Sequence, residues 1–80
     1  MKCPVYYDST DQNYYVPLFT DGDHIFFIEK TFKDYEDEDI LWIPGNMNTY
    51  TYNRLVEKRF SYITDLEVED NYIANYILLV

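Results

Sequence analysis

The dipeptide Asp21-Gly22 constrains this chain more than any other feature. It separates two β-rich runs, Val16-Pro-Leu-Phe-Thr20 and Asp23-His-Ile-Phe-Phe-Ile28. Asp-Gly readily adopts the positive φ angles of a tight two-residue hairpin turn. Two antiparallel strands are therefore set early, and a short chain must be built around them. Upstream, Cys3 to Tyr7 is a further β-rich run, and Asp8-Ser-Thr-Asp-Gln-Asn13 is a polar turn cluster. Pro17 lies inside the run from Tyr14 to Phe19. Proline cannot donate to a ladder, so this strand should lie at an edge or carry a bulge. Beyond the turn, Phe26, Ile28 and Phe32 share one parity while Glu29, Thr31 and Lys33 take the other. That is the pattern of an antiparallel strand with one buried and one wet face.

Ile40-Leu-Trp-Ile43 reads as a buried strand ended by Pro44-Gly45-Asn46. Tyr52, Leu55, Val56, Arg59, Phe60 and Ile63 recur at helical spacing and predict a helix over about 49–62. Asp65, Glu67 and Glu69 alternate with Leu66 and Val68, as in a half-buried strand. Asp70-Asn71 then reads as a turn into a last strand, Tyr72 to Leu79. A helix competes for this segment. Thr64-Asp-Leu-Glu67 matches a capping box, and Leu66, Ile73, Tyr76, Ile77 and Val80 would share a helical face. Regular alternation and the β-branched or aromatic residues of the end favour the hairpin. The expectation is an α+β fold: a small antiparallel β-sheet of about five to six short strands with one packed α-helix.

Eighty residues make one domain, residues 1–80. A chain this short hides only roughly 60% of its unfolded surface, so stability is hard to reach. Here 48% of residues are hydrophobic and 20% aromatic, too apolar for a disordered acidic tail. Ten tyrosines dominate the aromatic share. Adjacent pairs, Tyr6-Tyr7 and Tyr14-Tyr15, must point to opposite faces of a strand. Cys3 is the only cysteine, which excludes an intramolecular disulfide and suggests a reducing, cytoplasmic setting. It reads as a small buried apolar residue. No apolar stretch of signal-peptide length follows Met1, and no segment approaches the roughly 18 apolar residues of a membrane span.

Enzyme chemistry has no foothold in the sequence. His24, the only histidine, follows Asp21 and Asp23, but zinc and calcium sites need more ligands at set spacings, so no metal is expected. A lone histidine also leaves no nucleophile triad with a supporting signature. Two glycines make no phosphate-cradling loop, and no cofactor is expected. Adjacent carboxylates on a loop stay solvated and ionised, the wrong arrangement for paired acid–base work. Six basic residues against fifteen acidic ones would repel a nucleic-acid backbone, so direct nucleic-acid binding is disfavoured.

The net charge of −9 is concentrated in two places. Asp34-Tyr-Glu-Asp-Glu-Asp39 holds five carboxylates around Tyr35: Asp34, Glu36, Asp37, Glu38 and Asp39. Asp65, Glu67, Glu69 and Asp70 form the second cluster, followed by Tyr72. A single acidic run would mean little beyond solubility. Two clusters, each with a tyrosine and neither interleaved with basic residues, suggest a surface for a strongly basic partner. On a strand, Asp65, Glu67 and Glu69 would form a ladder of charge about 6.6 Å apart. Carboxylates so held can replace phosphates in contacts with arginine and lysine.

In size and charge the chain is similar to the small acidic DNA-mimic inhibitors that phages and mobile elements direct against host nucleases. These include anti-CRISPR proteins, anti-restriction proteins and uracil-DNA glycosylase inhibitors. The resemblance is one of composition and implies a stoichiometric, non-enzymatic inhibitor. Its partner would be a basic nucleic-acid-binding protein, such as a nuclease or a CRISPR effector complex. An immunity protein or antitoxin facing a basic toxin would use the same electrostatics. A structural or assembly subunit would instead pair its apolar strands with another chain.

Overall fold

Five strands and two helices follow one another in the order β1 (Lys2–Asp8), β2 (Asn13–Thr20), β3 (His24–Thr31), β4 (Ile43–Asn48), α1 (Thr49–Lys58), β5 (Phe60–Glu67) and α2 (Asp70–Leu79). The computed structural model describes all 80 residues. The strands form one antiparallel sheet in the order β4-β3-β2-β1-β5, an α+β fold.

The hairpin stands where Asp21-Gly22 puts it, with Gly22 at φ 99°. The connection runs over Asp21, Gly22 and Asp23, one residue more than a two-residue turn. The Asp21 carboxylate accepts from the amides of Asp23 and His24 at 2.9 and 2.8 Å, taking donors that a tighter turn would pair across the strands. These amides hold its pKa below the usual carboxylate range. β2 is an interior strand, and its register shifts between Pro17 and Phe19. The bulge absorbs the missing donor.

Both faces of the central strands are covered. Phe26, Phe27 and Ile28 are consecutive and all buried, so β3 has no wet face along its middle. On the first face Cys3, Val5, Val16, Leu18, Phe26 and Ile28 pack against Val68, Ile73 and Tyr76. Burial pushes the Cys3 thiol pKa up, and the side chain serves as a small apolar filler. On the second face Tyr15 meets Phe27 edge-on at 5.2 Å and stacks on Phe60 at 5.2 Å. Tyr52 of α1 closes on Phe60 from above at 5.9 Å. The paired tyrosines split between the two faces: Tyr14 stacks on Tyr35 at 3.8 Å, while Tyr6 stacks on Phe60 at 5.7 Å. Such contacts add about 0.5–1.5 kcal/mol each beyond burial, which matters when only 13 of 80 residues are buried.

Three further sequence expectations are overturned. Ile40 to Trp42 are not strand, and Ile40 and Leu41 are exposed; β4 starts at Ile43 and runs through Pro44, Gly45 and Asn46. Pro44 is tolerated because β4 is an edge strand. The helix ends at Lys58 rather than near Tyr62, because Phe60-Ser-Tyr-Ile-Thr64 pairs with β1. The last segment is a second helix, not a strand. α2 buries Ile73 and Tyr76 one turn apart, and the Tyr76 hydroxyl reaches the carbonyls of Gly45 at 2.8 Å and Phe27 at 3.2 Å. β5 already occupies the sheet edge beside β1, so α2 satisfies its backbone internally instead.

Candidate functional site

The acidic run is a series of turns joining β3 to β4. The Asp34 amide donates to the Thr31 carbonyl at 3.1 Å, the Asp37 amide to the Asp34 carbonyl at 3.0 Å, and the Ile40 amide to the Asp37 carbonyl at 3.1 Å. The Asp37 carboxylate also accepts from the Asp39 amide at 3.0 Å. Inside these turns lies Lys30. Its ammonium donates to the carbonyl of Asp37 at 2.8 Å and to that of Tyr35 at 3.4 Å, and stands 5.9 Å from the Trp42 ring. A buried ammonium needs such acceptors, and the carbonyls supply them without consuming a carboxylate. No basic residue interleaves with the acidic run in sequence, yet in the fold Lys30, from the strand before it, organises it.

Tyr35 turns inward. It stacks on Tyr14 and meets Trp42 edge-on at 6.0 Å, so its ring is committed to the fold. Beyond the run, Ile40-Leu41-Trp42 lies beside Leu66 of β5 and creates an open trough with two lobes. Both lobes share Leu41, Trp42 and Leu66. One, of about 500 Å³, carries Glu36, Glu38, Tyr35 and Lys30. The other, of about 360 Å³, carries Glu67, Glu69 and Tyr72.

The two acidic clusters therefore meet along one trough, but only in part. Glu36, Glu38 and Glu69 line it, with Tyr35 and Tyr72; Glu67 only borders it, sharing the strand face of Asp65 opposite Leu66 with its carboxylate on the Met1 amino group. Asp34, Asp37, Asp39 and Asp70 do not. Asp65 faces away from Leu66 and accepts from the Tyr62 hydroxyl at 3.0 Å. That bond, ahead of burial, raises the pKa of Tyr62. The expected ladder is cut short because β5 ends at Glu67, and Glu69 instead occupies the N-cap position of α2 with its side chain unbonded. Only Asp65 and Glu67 keep strand spacing. The Met1 amino group binds Glu67 at 2.7 Å and lies 3.5 Å from Asp70, with its own pKa raised chiefly by Glu67.

Sequence reasoning missed Leu41, Trp42, Leu66 and Lys30. Trp42 had no distinguishing signal: the apolar run Ile40 to Ile43, ended by Pro44-Gly45, is the pattern of a buried strand as much as of a segment laid across a sheet. No three metal-ligating side chains converge in the chain. No helix is long and apolar enough to cross a membrane. Comparison with protein-family models, with curated proteins and with solved structures finds no match to this chain.

Proposed function

We propose that this protein is a non-enzymatic acidic inhibitor of phage or mobile-element type. It would act in the host cytoplasm, carrying nucleic-acid-like charge into the basic binding site of a defence nuclease or another nucleic-acid-binding protein. One observation carries this reading. Glu36 and Glu38 at one lobe and Glu67 and Glu69 at the other border a single apolar trough, on a chain of net charge −9. The backbone that carries Glu36 and Glu38 is held by Lys30, so the loop itself needs little ordering on binding. Their field would speed encounter with a basic surface and make it salt-sensitive.

The test is capture of partners from a bacterial lysate on immobilised protein, followed by elution with duplex DNA and with salt. Nucleic-acid-binding proteins released by DNA are the expected outcome. Partners that DNA does not displace would sink the mimic reading.

A second reading, an assembly subunit, has its own observation. Leu78 and Leu79 at the end of α2 are 82% and 85% exposed, beside Val80. It predicts self-association of the purified chain in sedimentation, unaffected by charge reversal at Glu36 and Glu38.

A further inference from the structure

The two lobes of the trough differ in what they can accept. The larger already contains a cation, since the Lys30 ammonium is held there by backbone carbonyls against Trp42. The smaller lines six of its eight positions with apolar or aromatic side chains, and its only charged residues are Glu67 and Glu69. Glu67 is already bound to the Met1 amino group. Glu69 is exposed, makes no side-chain cap bond in α2 and enters no ion pair, so it is the open acceptor.

We infer that the smaller lobe selects arginine over lysine in the basic partner, taking one arginine side chain into the space lined by Trp42 and Tyr72 with its guanidinium on Glu69. The inference rests on the charge-complementary reading above and names the partner chemistry at that site. The lobe offers Leu41 and Leu66 to the methylene stem, and long basic side chains bury such stems readily. It offers two rings to a flat cation. Guanidinium is weakly hydrated, stacks on aromatic faces and pairs with carboxylate as a fork. A lysine ammonium is compact and strongly hydrated, and it can neither lie flat on a ring nor pair with the carboxylate as a fork. Charge mimicry alone would not distinguish the two residues.

Two peptides of equal length and charge, one arginine-rich and one lysine-rich with identical spacing, are titrated into the full chain at one ionic strength. Trp42 is the only tryptophan, so its fluorescence reports the trough directly. The arginine peptide should bind about tenfold more tightly and shift the Trp42 emission more strongly. Leu41 and Glu69 are both exposed, so Leu41→Ser and Glu69→Gln leave the fold intact by circular dichroism. Each should narrow the arginine advantage toward equality, read by anisotropy of labelled peptides. Equal binding of the two peptides to the native chain overturns arginine selection and leaves the charge reading standing. An arginine preference untouched by both substitutions overturns the assignment to this lobe. No binding of either peptide at low salt overturns this inference and the inhibitor reading together.

Discussion

The ammonium of Lys30 donates to the carbonyl oxygen of Asp37 at 2.8 Å, so the most acidic segment of the chain is wound around a buried cation. The attraction runs through backbone dipoles, which leaves the carboxylates of Glu36 and Glu38 free at the rim. Lys30→Met keeps the length and apolar stem but removes the donor. Losing charge-assisted bonds to two carbonyls should cost about 1.5–3 kcal/mol. Amide exchange at Asp37 and Ile40 should accelerate, and Trp42 emission should shift to the red as its cover loosens. Unchanged exchange at both amides would show that the turns hold without Lys30.

A second buried charge ties the far end of the sheet. Asp8 is 0% exposed and receives Arg59 as a fork, Nε to Oδ1 at 3.2 Å and Nη2 to Oδ2 at 2.7 Å. The same carboxylate accepts from the amides of Thr10 and Asp11, closing the β1–β2 turn, and Arg59 also meets Asp11 at 3.0 Å. The Asp8 bond, first among the causes, raises the pKa of Arg59. Asp8→Ala should cost about 3 kcal/mol, because it removes the acceptor of two amides and leaves Arg59 with Asp11 alone. Arg59→Lys should recover only part of the contact, since an ammonium cannot form the fork. Urea midpoints of the three proteins check this. If Arg59→Lys matches the native chain, the fork is not what holds the turn.

These two anchors show where the sequence was legible and where it was not. Asp21-Gly22 and the Pro17 bulge act within their own strands, so local chemistry announces them. The alternation of Asp65 to Glu67 announced only the end of β5, whose first residues, Phe60 to Tyr62, also fit the helical spacing. α2 is different. Tyr72, Ile73, Tyr76, Ile77 and Leu79 satisfy both a strand and a helix pattern, and the decision comes from the Tyr76 hydroxyl reaching carbonyls 31 and 49 residues away. Lys30 sits seven residues before Asp37, but its acceptors are carbonyls, which carry no side-chain signature. The acidic clusters could be read directly. Their meeting at Trp42 depends on how the 40–42 segment crosses the sheet, which no local pattern states.

Gly45 is required by close approach. A Cβ there would lie 2.8 Å from Cε1 of Phe27 and 2.9 Å from Oε2 of Glu29. The Glu29 carboxylate can swing aside, but the Phe27 ring is buried and wedged against Tyr15. Gly45→Ala should therefore cost about 2 kcal/mol through overpacking. It should also couple to Tyr76→Phe, which by itself should cost about 1 kcal/mol, because the Tyr76 hydroxyl is held by the carbonyls of Gly45 and Phe27. The double variant should lose less than the sum, a departure from additivity expected of neighbours. Strict additivity in thermal unfolding would show that the helix anchor and the glycine contact are independent.

The tyrosines give the fold a defined alkaline limit. Burial, with a smaller contribution from Tyr6, pushes the Tyr52 hydroxyl from its ordinary 10.0 to about 12. Burial raises Tyr14, Tyr15, Tyr72 and Tyr76 in the same direction. Below the ordinary tyrosine pKa, both folded and unfolded chains keep these protons, and stability does not depend on them. Between 10.0 and about 12 the unfolded chain releases the Tyr52 proton while the folded chain retains it. The unfolded state then binds fewer protons, so stability falls as pH rises through this window and the loss is complete above it. Urea denaturation at several pH values, with tyrosinate absorbance followed in parallel, measures the slope. Tyr52→Phe preserves the ring that meets Phe60 and removes the proton. Its stability should decline less steeply than that of the native chain above about pH 10. Equal slopes for the two proteins would mean that Tyr52 ionises as readily in the fold as in the open chain, and that its hydroxyl is wet.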